Sequence, residues 1–406
     1  MTRLRFVFAL TDQAFLTLVQ VVALVEIART QTPQVVGRYS VAIVLLTIAV
    51  GAHQATVFSW ILTSPRHSGA VEKGANFASG YLVPPLVGLS LLVWVFLDVG
   101  IDLVAWVLIL AIARVSLDNR RATYYWRSVP AFAALQTVTV AALAFLSYLA
   151  ARLVPSISGY PYLPLAALAG ASAVAALIEV ARSATWPSGR SYRIFKTQSQ
   201  GKWTKMGIAY LGDYSVVFLT PVIISATAGY AAAGAIRAAQ TVVSLPLQLP
   251  RSMFPLQIAG FSRRLSSDSR RIPLDFAKWI LLQLATFAPV MVALLFLSPA
   301  SGAFLFGETW MLIATVVLPL GLAGLFMEST MTAEAYLRAK FEAGKIAALR
   351  LGLMPIRLGA LAAGAAIGGL TGAAMGLLAG AMISVVCAYS VVIHNVRQTK
   401  RGQGTS

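Results

Sequence analysis

The residues of this chain best placed to do chemistry are charged side chains inside apolar runs. Asp12, Glu26, Arg38, Glu179, Asp213, Arg237, Glu308, Glu328 and Arg357 all fall in stretches rich in Leu, Val, Ala and Ile, and His53 and Gln54 lie in another. An ionisable group in a membrane span is costly and faces a cavity or a partner charge. Covalent and metal chemistry have little to work with. His53, His67 and His394 are too dispersed for a zinc triad. The single Cys387 excludes an internal disulfide framework. No GxxxxGK[ST] phosphate loop occurs, so the chain does not hydrolyse ATP by that device. Asp98 and Asp102 are the nearest approach to the acidic loop of a membrane glycosyltransferase, and a solvated loop face explains them better. The chain is therefore expected to be no enzyme and to need no cofactor or metal.

The elements that must position these charges are membrane helices. Of 406 residues, 58% are hydrophobic and 11% charged, with a mean hydropathy of +0.77; a soluble domain carries about 25% charged residues. Apolar runs of about 20 residues, the length that crosses a bilayer core, recur throughout. They predict an all-α polytopic membrane protein with about twelve transmembrane helices, at 6–29, 38–62, 77–97, 100–116, 129–152, 161–183, 206–228, 232–258, 273–297, 308–330, 343–366 and 371–394. The first run lacks a small-residue cleavage site before a polar domain, so it reads as a retained span. The run from Ala231 to Phe261 contains Pro246, Pro250 and Pro255, which predicts a kink or splay at its far end.

A net charge of +18 would suggest nucleic acid in a soluble protein. Here the distribution of that charge answers the question. Lys and Arg concentrate in the even-numbered gaps and the two tails: Arg66 and Lys73; Arg114, Arg120, Arg121 and Arg127; the 182–205 segment; 251–278; Arg338, Lys340, Lys345 and Arg350; and Arg397, Lys400 and Arg401. The odd-numbered gaps hold few or none. That alternation predicts both termini in the cytoplasm, with anionic membrane lipids as sufficient partners for the basic loops and no nucleic acid.

The polar sixth gap divides the chain. It predicts an N-terminal six-helix half over 1–190, a basic cytoplasmic linker at 191–205, and a C-terminal half with a short cytoplasmic tail over 206–406. An even number of spans per half leaves the halves in the same orientation, related by an axis along the membrane normal. Two echoes support a repeat. Asp12 followed by Gly37-Arg38-Tyr39-Ser40 resembles Asp213 followed by Gly234-Ala235-Ile236-Arg237, and Phe132-Ala133-Ala134-Leu135-Gln136 resembles Ile346-Ala347-Ala348-Leu349-Arg350. Prolines inside spans, Pro221 and Pro246 foremost, are either static kinks or hinges for alternating access.

Arg38 and Arg237 occupy matching places near the outer ends of spans two and eight. Snorkelling to the outer headgroups is one reading. They run against the positive-inside bias, however, and a cavity-facing guanidinium suits bidentate recognition of phosphate or carboxylate. Arg29 could join them. Arg357, in LMPIRLGALAAG, either pairs with a carboxylate such as Glu328 or lines the cavity. Asp12 and Asp213 would bind a coupling Na⁺ or H⁺, or form structural pairs with basic residues on the cytoplasmic side. Glu26 and Glu308 lie near the outer interface and read as solvated.

The stretch TDQAFLTLVQVVALVEIARTQTPQVVGRYSVAIVLL resembles the opening of bacterial polysaccharide flippases of the Wzx type. The resemblance rests on Asp12-Gln13, Ala28-Arg29 and Gly37-Arg38-Tyr39, and in the second half on Gly234, Arg237, Ala238, Ala239 and Gln240. It implies the multidrug/oligosaccharidyl-lipid/polysaccharide exporter fold, two six-helix halves about a V-shaped central cavity, in the bacterial cytoplasmic membrane. It implies a substrate too, a polyprenyl-diphosphate-linked oligosaccharide flipped from the cytoplasmic to the outer leaflet, with polysaccharide polymerases or glycosyltransferases as partners. Arg29, Arg38, Arg237 and Arg357 would then hold the anionic head and Asp12 and Asp213 the coupling ion. An ion-coupled drug or metabolite exporter of the same fold, and a non-transporting scaffold in envelope polysaccharide synthesis, are the alternatives. A major-facilitator transporter is disfavoured because SPRHSGAVEKGA, between spans two and three, lacks that family's Gly-rich loop with Asp and paired Arg.

Overall fold

The structure is a computed structural model that describes residues 3–53, 57, 83–97, 99–127, 129–183, 216, 217, 219–252, 254–267, 272–340 and 342–403. The chain divides into two compact units, Met1–Tyr214 and Ser215–Ser406. The expected linker at 191–205 lies outside the described residues, as do Gln54, Asp98 and Asp213. Among the described residues, six helices are long and apolar enough to cross a membrane, and the protein is a multi-pass membrane protein.

The first unit contains α1 (Arg3–Thr30), α2 (Pro33–His53), α3 (Val83–Phe96), α4 (Ile101–Trp126), α5 (Pro130–Arg152), the single turn α6 (Pro155–Ser158) and α7 (Leu163–Ser183). Its centre is α4, which packs against α7, α2, α5 and α3, while α5 packs against α1 and α7. Pro130 starts α5, where its missing N–H costs nothing because the first turn has no intrahelical acceptor for it. Leu135, Leu146 and Leu177 are exposed on the unit's surface, as lipid-facing residues are when the solvent is hydrocarbon.

The second unit contains α8 (Leu219–Ala228), α9 (Tyr230–Ser252), α10 (Phe254–Ser267), α11 (Ile272–Leu295), the short α12 (Pro299–Phe306), α13 (Thr309–Ala339) and α14 (Ala343–Gln403). The Pro-rich run expected to kink is divided between α9 and α10. Here α13 is central, packing against α14, α9, α10, α11 and α12. Phe261, Phe276, Tyr336 and Tyr389 form an aromatic cluster joining α10, α11, α13 and α14. The long α14 is two helices joined at Gly368 and Gly369, and Gly369 has φ +56°, a left-handed conformation that favours glycine. The break falls in the gap predicted between spans eleven and twelve. The two arms then touch backbone to backbone: a Cβ on Gly364 would run into the Gly372 carbonyl, and one on Gly376 into the Ala360 carbonyl.

The predicted fourth span, 100–116, is too short. α4 continues to Trp126, so Arg114, Asp118, Asn119, Arg120 and Arg121 are helical rather than in a loop. Arg114 and Arg121 are buried, so those two are not solvated charges of a cytoplasmic loop. α13 likewise runs nine residues past the predicted 330 and carries Glu334 with it. In both cases the hydropathy signal ended where the charges began, although the charges are paired inside the bundle.

Candidate functional site

Helical spacing puts Arg114, Asp118, Arg121 and Tyr125 on one face of α4, at i, i+4, i+7 and i+11. That face meets Asp12 of α1. Asp118 and Asp12 are fully buried, and Arg121 is 1% exposed. The Arg121 guanidinium joins the two carboxylates. Its Nη1 donates to Asp118 Oδ1 at 2.6 Å, its Nη2 to Asp12 Oδ2 at 2.5 Å, and its Nε reaches both Asp12 oxygens at 3.2 Å. Tyr125 Oη donates to Asp12 Oδ2 at 2.6 Å, and Thr137 Oγ1 of α5 donates to Asp12 Oδ1 at 2.5 Å. Asp12 therefore accepts from three residues on two helices.

The network continues toward α2. Arg114 Nε lies 3.7 Å from Asp118 Oδ1, a longer contact than that of Arg121. The fully buried His53, the last residue of α2, places Nε2 2.7 Å from Asn119 Oδ1. His53 Nδ1 and Arg114 Nη2 are buried and have no hydrogen-bond partner among the described residues. Two carboxylates face two guanidiniums, so the formal charges balance. Buried charges are tolerated only when paired in this way.

A second polar set occupies the other end of the first unit. Glu26 pairs with Arg29 at 3.0 Å and accepts from Tyr148 Oη of α5 at 2.5 Å. Arg152 stands over the Tyr148 ring, 5.9 Å from its centroid. Tyr148→Phe is expected to lower stability by about 1 kcal/mol, the usual worth of one hydrogen bond. Arg29→Gln should cost less than about 0.5 kcal/mol, because the Arg29 side chain is 43% exposed and solvent screens its pair. Thermal unfolding of the two variants in detergent checks the order. Asp102 is exposed and accepts from Tyr160 Oη at 2.6 Å.

The candidate residues thus have different settings. Arg29 and Arg38 are exposed and Arg237 on α9 is half-buried. Arg357 is 8% exposed on α14, where Gly380 leaves room for it: a Cβ at 380 would stand 3.2 Å from Arg357 Cα. Glu328 is buried on α13, and its carbonyl accepts from Gln283 Nε2 at 3.2 Å, as does Thr332 Oγ1 at 3.0 Å. Glu179 lies 3.5 Å from Arg120, and Glu308 is exposed at the start of α13. The structure brings Asp12 and His53 into one network with residues the sequence assigned to a loop. Arg114, Asp118 and Arg121 could have been found from their helical spacing had α4 been extended past the last apolar residue.

The second unit has its own inter-helix pair. Arg350 of α14 binds Glu334 of α13 through Nε at 2.8 Å and Nη2 at 2.6 Å. Arg350 closes the segment Ile346–Arg350, which the sequence compares with Phe132–Gln136, and Thr137, which binds Asp12, follows the latter. Among the described residues no group of three His, Cys, Asp or Glu could hold a metal ion. The networks offer charge and hydrogen-bond chemistry between helices.

No protein-family model matches the chain, and no curated protein matches it significantly. Solved structures do. A multidrug resistance MATE family transporter of the MOP superfamily, in an inward-facing conformation, is similar with a TM-score of 0.64 at 14% identity, covering 98% of this chain and 96% of that one. A MATE protein in complex with MaL6 gives 0.59 at 14% identity over the same shares. A MOP superfamily transporter from Pyrococcus furiosus, described as having a binding pocket of reverse polarity that suggests a different function, gives 0.56 at 13% identity, again over 98% and 96%. The chain has the fold of the MATE-type transporters of the MOP superfamily, about twelve transmembrane helices in two six-helix halves.

Proposed function

We propose that this protein is an alternating-access transporter that moves a polyprenyl-diphosphate-linked oligosaccharide from the cytoplasmic to the outer leaflet of the bacterial cytoplasmic membrane, with both termini in the cytoplasm. Support comes from a transporter fold matched over 98% of the chain together with Arg38 in one unit and Arg237 in the other, each in the family-like motif that the sequence carries. A guanidinium is suited to a diphosphate because its planar fork donates two parallel hydrogen bonds to one anionic group. Arg29 and Arg357 are the further candidates for the anionic head. Ion coupling, by Na⁺ or H⁺, is assigned to the polar network around Asp12, with Asp213 its counterpart in the second half. Envelope polysaccharide polymerases or glycosyltransferases would supply or consume the substrate.

The test is flipping of a lipid-diphosphate sugar in liposomes. Arg38→Ala and Arg237→Ala are each expected to lower the rate by about tenfold or more, the loss of one charge-assisted hydrogen bond of about 1.5–3 kcal/mol. Wild-type rates in both variants would defeat the cationic-head reading. The second reading, an exporter of drugs or metabolites, is supported by the neighbour described as a multidrug resistance transporter. Organic-cation efflux from the same liposomes, unaffected by loss of Arg38 and Arg237, would favour it. The Pyrococcus furiosus neighbour, with its reversed pocket polarity, makes the sign of the binding surface the property to compare.

A further inference from the structure

We propose that Asp102, Trp106, Tyr160 and Tyr162, at the end of the first unit where α4 begins, form a saccharide subsite that takes the sugar ring next to the diphosphate assigned to Arg38. The subsite stands on the geometry of these four residues. The diphosphate beside it rests on the transport reading above.

The group is built from two segments. Asp102 and Trp106 are four residues apart on α4, hence on one face, and Tyr160 and Tyr162 lie between α6 and α7. Tyr160 Oη donates to Asp102 Oδ2 at 2.6 Å, and the Trp106 indole N–H hydrogen-bonds to the same hydroxyl. That hydroxyl therefore has its proton committed and one lone pair filled. The two tyrosine rings meet edge to face, with centroids 6.0 Å apart at 80°. On the other side of the carboxylate, a Cβ at Gly100 would stand 2.6 Å from Asp102 Oδ1, so glycine leaves the carboxylate room to lie back over the start of α4. Asp102 is thereby fixed in direction and still exposed.

A fixed acceptor beside open aromatic surface suits a neutral polyol. A carboxylate has about four acceptor positions, and Tyr160 uses one, so neighbouring sugar hydroxyls can donate to the others. Trp106 and Tyr160 are half-buried, and the negative face of an aromatic ring attracts the polarised C–H groups of a sugar. The same residue types would also suit an organic ammonium ion. Arg38 of α2 weighs against that occupant, because its guanidinium acts electrostatically on the Tyr162 phenol and a cation arriving there meets a like charge. A neutral ring joined to a diphosphate answers both charges, with hydroxyls for Asp102 and phosphate oxygens for Arg38. The 97–101 gap holds no Lys or Arg, which puts this end outside in the proposed topology, where the sugar arrives.

The experiment measures binding of the full chain in nanodiscs to a short polyprenyl diphosphate carrying glucose, galactose or N-acetylglucosamine, and to the same lipid diphosphate without sugar. The quantity read is the ratio of the two Kd values. For at least one sugar it is expected to favour the sugar-bearing lipid by about tenfold, as hydrogen bonds to a charged group do. Asp102→Ala and Trp106→Leu should bring the ratio to about one, and Tyr160→Phe, which keeps the ring but releases Asp102, should reduce it in part. Arg38→Ala should weaken both lipids alike and keep the ratio, a split that a merely structural role would not give. Affinity for the sugar-free lipid checks that each variant is folded. A ratio near one in the wild type for all three sugars, or an unchanged ratio in Asp102→Ala and Trp106→Leu, overturns the subsite. Tetraethylammonium binding that Asp102→Ala abolishes, with no sugar ratio, gives the site to a cation instead. A chain that binds neither lipid overturns the substrate reading. Saturation-transfer NMR with the three methyl glycosides then decides the subsite. Transfer that Asp102→Ala abolishes upholds it, and transfer absent from the wild type or retained in the variant overturns it.

Discussion

Arg121→Ala is expected to lower the stability of the protein by about 3–5 kcal/mol, the cost of leaving a buried charge without its partner. The reason lies in the count of partners. Arg121 is the cation shared by Asp12 and Asp118, both fully buried. Its removal leaves Asp12 with two neutral donors and Asp118 with the more distant Arg114 at 3.7 Å. Asp12→Asn should cost less, about 1–3 kcal/mol, because Arg121 keeps Asp118 and the amide oxygen still accepts hydrogen bonds. Asp12→Leu combined with Arg121→Leu should recover part of the single-variant loss, since replacing both members of a buried pair by apolar groups removes the uncompensated charge. Unfolding in mixed detergent micelles, run as a double-mutant cycle, measures the three values. Equal losses for Arg121→Ala and Asp12→Asn would show that Asp118 does not share the cation.

Gly372→Val is expected to destabilise the second unit by about 3 kcal/mol or more, at the upper end of overpacking costs. The Cβ at 372 would overlap the Gly364 carbonyl, and the obstacle is backbone that no rotamer change can move aside. Helices in lipid gain little from burying apolar surface against one another, so close backbone approach through small residues is a main source of their association. The control is Gly359→Ala in the first arm of α14, on the other side of the Gly368–Gly369 break from Gly372. A Cβ there meets no atom within 4 Å, so the substitution should stabilise by about 0.5–1 kcal/mol through reduced backbone entropy. Opposite signs at two glycines 13 positions apart in one sequence run would separate packing from propensity. A Gly372→Val protein as stable as wild type would mean that the two arms of α14 are not held this closely.

Much of the helical layout was legible from composition. Every predicted span has a helical counterpart among the described residues, because a run of about 20 apolar residues in a membrane has few other ways to satisfy its backbone. The break at Gly368 and Gly369 falls in the gap left between the spans expected at 343–366 and 371–394. The ends of α4 and α13 could not be placed the same way. Hydropathy scores Arg114, Asp118 and Arg121 as water-seeking one by one, whereas their cost is offset only when they meet one another and Asp12, more than 100 residues away in the chain.

The candidate site divides along the same line. Apolar runs and periodic charge, which are local quantities, determined the membrane class, the helices and the suspicion that Asp12, His53 and a few arginines matter. Which of them share a network was decided by packing alone. α1, α2, α4 and α5 converge so that one guanidinium bridges two carboxylates and the His53 imidazole meets Asn119. No local pattern encodes that meeting, because the pairing energy of a buried charge depends on which distant group stands within about 3 Å of it.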